Sequence, residues 1–457
     1  MRLKKDVLRA RVKGPIEIEF TEEPLSAHAG LELFGRFMVS SGWATRLRSV
    51  FADRQFETDY GSFRMALMTI GMILLGGTRL AHLDLLRLDP IFHRFCRLHR
   101  LPSERTFSRW LKDISGGFRD RLRELLRDVA FETWARGSLR IVTLDLDGTV
   151  IRTGESVDGA ERGFHPHHPK DPSYYPLTAH LAQTGQILDI ENRPGRVHDS
   201  VGSAEMLKDL ICDTRARLGS VPIEVRLDGA FCQNAVLDVL EGFGIEYAIK
   251  MPMWDWLGIR KRILERKTWA PVADRLEGFS TQLRIEKWKR TLRVVIFRKK
   301  ISGPPAKAYQ LDLYQPDDGF YEYSMVVTNK VVSERTVWHF MAGRGGHEKT
   351  LGELKQHVAF GSVVTNDWDA NSTWQLLSAL THNLVRDFQV ATKSAPKRPN
   401  TRKRTCRFRF ESLRTVRFTL LGLAGRVCRP NGRQQLRIVV SGKTRRRIRR
   451  IEQSLAA

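Results

Sequence analysis

The stretch Arg140 to Ile151 reads RIVTLDLDGTVI, with two carboxylates, Asp145 and Asp147, two positions apart at the end of a β-branched apolar run closed by Gly148. Side chains alternate across a strand, so both carboxylates point to one side where the chain leaves the sheet. Neighbouring carboxylates repel unless a cation sits between them, and hard divalent cations such as Mg²⁺ take such oxygen ligands. The plainer alternative is that Asp147 caps the turn and Asp145 pairs with an arginine. The same design recurs in IEVRLDGAF, where Asp228 follows the apolar run Ile223–Leu227 and precedes glycine. Alone, Asp228 would read as a helix N-cap; two such strand ends in one parallel sheet read as a site. A third acid comes from GRGGHEKTLGELKQH. On a helix of about 100° per residue, Arg344, Glu348 and Lys355 fall near 0°, 40° and 20°, whereas Glu353 falls near 140°. Of the two glutamates, Glu348 therefore shares its stripe with a guanidinium and an ammonium suited to phosphate oxygens. A solvated charged face is the alternative.

These residues need a scaffold. From Ser138 to about Lys250 the pattern gives strands at Arg140–Val150, Tyr175–Ala182 and Ile187–Arg193, a helix at Ser203–Leu218 and a strand at Ile223–Leu227. A helix near Gln233–Phe243 and a strand at Ile245–Ile249 follow. Three strands, then helix, strand, helix, strand is the order of a ribonuclease-H-like core, an α/β fold with helices on both faces. Residues 1–136 read as a helical, DNA-binding N-terminal domain, with helices near Ala27–Met38, Tyr60–Leu75, Leu80–Arg97 and Gly117–Arg136. Within it, LPSERTFSRWLKDI sets Arg105 and Arg109 four apart on one face. Core residues 137–250 give way at 251–334 to an all-β insertion of strands STQLRIEKW, TLRVVIFRKK, AYQLDLYQ and GFYEYSMVVTN. Residues 335–395 return to the core with Glu348, and 396–457 form a basic C-terminal region for DNA binding or dimerisation.

Composition narrows the partners. The net charge is +25 over 457 residues. Such an excess calls for a polyanion, and nucleic acid comes first. Residues 391–457 hold 4 Lys and 16 Arg against 2 Glu, so this stretch alone carries +18 of the excess. An arginine-rich segment of this kind grips phosphates more often than it reads bases. FTLLGLAGRV (Phe418–Val427) is apolar enough to pack as a helix. The five cysteines are scattered, without CxxC, which argues for a reducing compartment and against a zinc site or disulfide framework. His165, His167 and His168 fit no zinc spacing. Met65 to Leu75 is too short to span a bilayer; no membrane partner and no secretory leader are expected.

Taken together, the chain resembles the DDE transposases of bacterial insertion sequences, in the group with a β insertion before the last acid. Arg344, Glu348 and Lys355 reproduce the spacing of that family's Y-R-E-K signature, with Met341 at the tyrosine position and Phe340 beside it. Asp147-Gly148-Thr149 matches the family's first acid followed by threonine, and Asp228 its second acid after a strand. RGFHPHHPK, YYPLTAHLAQTGQ and NRPGRVHDS also look like its group 1 members. The resemblance implies that Asp147, Asp228 and Glu348 hold two Mg²⁺ ions (Mn²⁺ can substitute), with Asp145 and Thr149 in support. Arg344 and Lys355 would bind phosphates. It further implies cleavage at transposon ends and strand transfer into target DNA, double-stranded DNA as partner, a homodimer on that DNA, and the bacterial cytoplasm, at the nucleoid. Trp254, Trp256, Trp269 and Trp288 become candidates for stacking a flipped base.

Two other readings compete. LDLDGTV matches the first motif of haloacid-dehalogenase-like phosphatases, with Asp145 as nucleophile and Asp147 as acid/base; RLDGAFCQN does not supply that fold's closing acidic pair. A catalytically inactive DNA-binding protein is the other, and the presence of all three acids argues against it.

Overall fold

Val142, Leu144 and Leu146 leave one face of a strand, Thr143 and Asp145 the other, and all five are buried. A strand buried on both faces must lie inside a sheet covered on both sides. The computed structural model describes residues 16–52, 60–163, 171–300, 321–398 and 405–456. Its main sheet is built from β1 (Val142–Gly148), β2 (Leu177–Leu181), β3 (Gln186–Glu191), β4 (Ile223–Leu227), β5 (Glu246–Met251), β6 (Ala270–Ala273), β7 (Leu276–Ile285), β8 (Arg290–Lys300) and β9 (Tyr321–Thr328). The spatial order is β6-β7-β8-β9-β5-β4-β1-β2-β3. Only β1–β4 and β4–β5 are parallel. From Val142 to Met251 the expected strands and helices appear in order, but three short strands absent from that expectation, Ile151–Arg152, Glu161–Arg162 and Pro172–Tyr174, form a separate sheet between the first two.

The register sets the site. Asp145 stands opposite both Arg226 on β4 and His180 on β2, and Asp147 stands opposite Thr178. The apolar face of β1, β2 and β4 packs against helices Ser203–Leu218 and Asn234–Gly242 in one cluster. Beyond β5, strands β6 to β9 extend the same sheet by antiparallel pairing. This stretch departs from the all-β expectation, because Ile259–Glu265 is helical and buries Ile259 and Ile263 beneath it. AYQLDLYQ and the three histidines His165, His167 and His168 lie outside the described residues.

Helix α1 (Leu31–Ser40), helix α2 (Gly116–Arg136) and three further N-terminal helices gather around one long C-terminal helix. Two sequence expectations fail locally here and near the C-terminus. The run Leu80–Arg97 is a 3₁₀ turn, Leu80–Leu86, followed by a separate helix Pro90–Cys96. Pro90 forces Asp89 out of the helical region, and the Asp89 carboxylate then caps the second helix by accepting from the Ile91 and Phe92 N–H groups.

Helix α3 (Gly345–His357) carries Glu348, and helix α4 (Trp368–Ala391) lies behind it. Buried polar groups fix α4 in place. Asn383 accepts from the Ile187 N–H and donates to the Ile187 and Leu126 carbonyls, and Asp387 accepts from Trp43 and Thr133. Phe34 and Phe37 of α1 pack on Phe388. The N-terminal helices thus share their core with a helix more than 300 residues downstream.

The basic C-terminal region joins that core too. Leu413, Val416, Leu420, Leu421 and Ile451 are buried in it. Phe418–Val427 is helical only as far as Leu421: a π-helical turn Arg417–Leu421 leads into the strand Gly425–Cys428. Arg417 spends its guanidinium on helix ends, donating to the Ile73, Leu74 and His357 carbonyls. Helix α5 (Gly442–Ala456) closes the chain and packs on α1, with Arg36 paired to Glu452. Among the described residues no single helix is long and apolar enough to cross a membrane.

Candidate active site

Both acid-bearing strands carry an ionisable pair at positions i and i+2 on the same face. On β1 it is Asp145 and Asp147, on β4 Arg226 and Asp228. The inner pair locks together. Arg226 donates through Nε and Nη2 to the two oxygens of Asp145, each at 2.7 Å, and both side chains are fully buried. Burial alone would raise the Asp145 carboxyl, but Arg226 and His180 outweigh it and hold it down at about 2. Arg226 Nη1 also donates to the Phe340 carbonyl and the Thr405 hydroxyl, tying the sheet to the chain just before α3 and to the C-terminal region.

The outer pair is left for chemistry. Asp147 and Asp228 reach toward the start of α3, where Arg344 is the N-cap residue and Glu348 lies one turn on. The Arg344 guanidinium sits between all three acids, at 3.1 Å from Asp147, 3.2 Å from Asp228 and 3.6 Å from Glu348. Residues 147, 228 and 348, far apart in sequence, therefore surround a single cation. Exposure rises outward, from 9% for the Arg344 side chain through 19% and 40% for the two aspartates to 67% for Glu348, so the cluster opens to solvent on the glutamate side. Glu353 is elsewhere, as the helical wheel requires: it pairs with Arg386 and accepts the Leu413 N–H.

Helix α3 is held to the sheet by its buried face. His347 Nε2 lies 3.1 Å from the Thr178 hydroxyl, which itself donates to the Asp147 carbonyl, so His347 is the donor in that contact. The His347 ring stacks on His180 at 4.6 Å. Burial lowers both imidazoles, and each also lies near cationic arginines, so both are neutral spacers at pH 7.

Asp147 behaves differently from Asp145. Its carboxyl is raised to about 7, first by burial, a rise that Arg344 opposes and that Asp228, Asp199 and Glu348 reinforce. With an unfolded-state value near 3.8, the folded protein binds a proton there that the unfolded chain releases. Asp147 thus costs stability increasingly as pH climbs from about 4 to about 7. We expect Asp147→Asn to melt about 2–4 °C above the wild type at pH 8 with a chelator present, and level with it near pH 4. An equal difference at both pH values in thermal melts would refute this.

Asp199, Tyr175 and Arg193 complete the surroundings, and sequence reading did not assign them. The Tyr175 hydroxyl donates to Asp199, and Arg193 reaches the Tyr175, His198, Asp199 and Val201 carbonyls. Their motifs, NRPGRVHDS for Arg193 and Asp199 and YYPLTAHLAQTGQ for Tyr175, marked the place without revealing the role. Gly148 is required here: a Cβ on it would stand 2.0 Å from Asp199 Oδ1 and 2.6 Å from the Tyr175 ring. Lys355, expected at phosphate, donates to the Val150 carbonyl at 2.8 Å, beside the loop that follows Asp147. Thr149 is buried, and its N–H donates to the Pro176 carbonyl. Met341 stands at the tyrosine position of the signature, and its carbonyl accepts the Arg344 N–H.

Hard oxygen donors on two strand ends and a helix suit a divalent cation by chemistry. Their spacing as it stands suits a guanidinium: among the described residues no group of three or more His, Cys, Asp or Glu is arranged to hold a metal ion. A cleft of about 690 Å³ adjoins the cluster, lined by Gly343, Gly345, Gly346, Glu348, Lys349 and Phe408 among others. Of the four candidate tryptophans, Trp254 stacks on Trp256 at 5.4 Å and meets Trp288 edge-on, with Trp256 exposed. Trp269 is apart from them, buried against Phe279.

The family model described as transposase DDE domain group 1 matches residues 9–457. No curated protein matches the chain. Among solved structures, the cryo-EM structure of the piggyBac transposase synaptic complex with hairpin DNA aligns over 93% of this chain and 84% of that one, at 11% identity and a TM-score of 0.42.

Proposed function

From the premise that the chain belongs to the transposase DDE domain group 1 family, we propose that it cleaves DNA at transposon ends and joins the ends to target DNA, using Mg²⁺. The single observation that carries this reading is the convergence of Asp147, Asp228 and Glu348 around one cation. In the proposal these three hold the metal, with Asp145 and Thr149 as supports through the strand and turn that place Asp147. Two bound Mg²⁺ ions, or Mn²⁺ in their place, would supply the charge that activates the attacking oxygen and steadies the leaving one. The protein's own part is positioning. The Asp145–Arg226 pair fixes the strand ends, the stacked histidines fix α3, and Lys355 stiffens the loop after Asp147.

The substrate is double-stranded DNA, the assembly on it a homodimer, and the setting the bacterial cytoplasm, as for an insertion-sequence enzyme. A ribonuclease-H-like core, extended by β6 to β9, is the frame this reading assumes, and the Trp254–Trp256 stack is its candidate base platform. The phosphatase reading loses its nucleophile, since Asp145 is fully buried against Arg226. Incubating the protein with a duplex bearing its own element's ends tests the reading. Strand cleavage that needs Mg²⁺ or Mn²⁺ is expected; hydrolysis of small phosphate esters without DNA cleavage would overturn it.

The C-terminal arginines are proposed to grip phosphates. Because α5 buries Ile451 and holds Glu411 through Arg447, deleting the tail would disturb the core as well as the charge. Arg445, Arg446, Arg449 and Arg450 are exposed on α5 and can be changed without that cost. Replacing all four by Gln should flatten the slope of log K against log salt by up to about 3–4, at about 0.9 per phosphate contact, for specific and random duplexes alike. An unchanged slope in a salt titration would remove α5 from the DNA interface.

A further inference from the structure

Arg344 holds an unusual position for a residue expected to bind phosphate. Its side chain is nearly buried, yet it faces three carboxylates from three separate elements, and among the described residues it forms an ion pair with no other acid. The contact is electrostatic and only loosely hydrogen-bonded: Nε and Nη2 are buried without a hydrogen-bond partner. A guanidinium held by charge and not by a full set of directed bonds is exchangeable. Space for the exchange lies on the C-terminal side of Arg344. Arg344 is flanked by Gly343 on one side and by Gly345 and Gly346 on the other, and a Cβ at either of the latter two would meet nothing within 4 Å. The adjoining cleft, lined by the same three glycines and Glu348, gives a departing side chain room.

A guanidinium seated among the three acids and a divalent ion cannot share them cheaply. Three carboxylates draw in either the guanidinium or a divalent ion, and the presence of one weakens the other's hold by like-charge repulsion. We propose that Arg344 is a displaceable internal counter-cation, which fills the acid cluster until a DNA phosphate takes its guanidinium and opens the carboxylates to divalent metal. The proposal rests on the transposase reading above. It makes DNA binding and metal loading a linked equilibrium, in which each strengthens the other by the same factor. The acids are thereby kept neutralised, and the cleavage site unarmed, away from DNA.

The test is direct binding of Mn²⁺ to the full-length protein, read by the paramagnetic signal of free Mn²⁺, with and without a duplex oligonucleotide. For the wild type, the duplex should tighten Mn²⁺ binding roughly 10-fold, within the usual range of coupling between sites. Arg344→Gln, checked for native circular dichroism, should bind Mn²⁺ roughly 10-fold tighter than wild type without DNA and gain little from the duplex. Arg344→Lys, which keeps the charge, should restore the weak DNA-free binding. Glu348→Gln should lose binding in both conditions, which places the ion in this cluster. If Arg344→Gln binds Mn²⁺ no tighter than wild type while Glu348→Gln still loses it, the counter-cation role is wrong and the metal site stands. If no variant binds Mn²⁺ with or without DNA, the metal-dependent reading of the site falls as well.

Discussion

Under the transposase reading proposed above, Glu348→Gln should leave DNA affinity within about twofold of wild type and lower cleavage by on the order of 10³-fold, about 4 kcal/mol of transition-state stabilisation, the scale of charge a metal supplies at a phosphoryl centre. The substitution is nearly isosteric and sits on an exposed side chain, so the fold is not disturbed. What changes is the anionic oxygen, which an amide replaces with a poor ligand for a hard cation. Glu353→Gln makes the contrast. It lies one turn and a half further along α3, and its carboxylate accepts from Arg386 and from the Leu413 N–H, each at 3.0 Å. Losing that charge should weaken the tie between α3, α4 and the C-terminal region by about 1–3 kcal/mol, while cleavage at 25 °C should stay near wild type. Rates and melting temperatures of the two variants, measured side by side, check this. A catalytic loss in Glu353→Gln with a normal Glu348→Gln would reverse the assignment of the third acid.

The second large effect lies one layer deeper. Arg226→Met should destabilise the protein by about 3–5 kcal/mol, because it abandons the Asp145 carboxylate in a fully buried position. The double variant Asp145→Leu, Arg226→Met should recover most of that, since an apolar pair of similar volume removes the orphan along with its partner. The pH dependence separates this account from simple loss of packing. In the wild type the Asp145 carboxyl is held below its unfolded value of 3.8, at about 2. Its contribution is therefore present above about pH 4 and lost as the pH falls through about 2. Without Arg226, burial dominates and raises the carboxyl, so the sign inverts: the variant loses stability relative to wild type as the pH rises from about 4 toward neutrality. A stability difference independent of pH between 4 and 8, measured by denaturant unfolding, would mean that Asp145 carries no charge in the folded core.

How far the sequence disclosed these arrangements depended on the range of the cause. Asp145 and Asp147 on one face, Asp228 at a strand end, and Glu348 in preference to Glu353 all follow from the two periodicities of strand and helix, which are local. The plainer reading of Asp145, an arginine partner, is what the structure holds, and strand parity could have named Arg226, two residues before Asp228. Identifying it required the register of β1 against β4, which is set by pairing 81 residues apart. The break at Asp89-Pro90 was written in the chain but hidden by the apolar pattern around it. The π-turn at Arg417 was not, because its cause is three carbonyls contributed by two distant helices. Nor could the position of Arg344 be read. The wheel put it on the same stripe as Glu348, but only the meeting of three elements turns that stripe inward upon two aspartates.

The sharing of one core by the two ends of the chain has a consequence for how the protein comes into being. Trp43 finds its buried acceptor on Asp387, 344 residues later, and Phe34 and Phe37 find Phe388. At about 5–20 residues per second, the ribosome takes roughly 20–70 s to deliver that partner. Throughout that interval the N-terminal helices carry apolar faces whose cover has not yet been synthesised. Whatever recognition these helices perform is a property of the finished polypeptide: a chain interrupted before α4 leaves an uncovered apolar surface where an intact one has a closed core. An interrupted or truncated copy of the gene therefore yields a product fit for aggregation and proteolysis, and not a folded competitor of the intact protein.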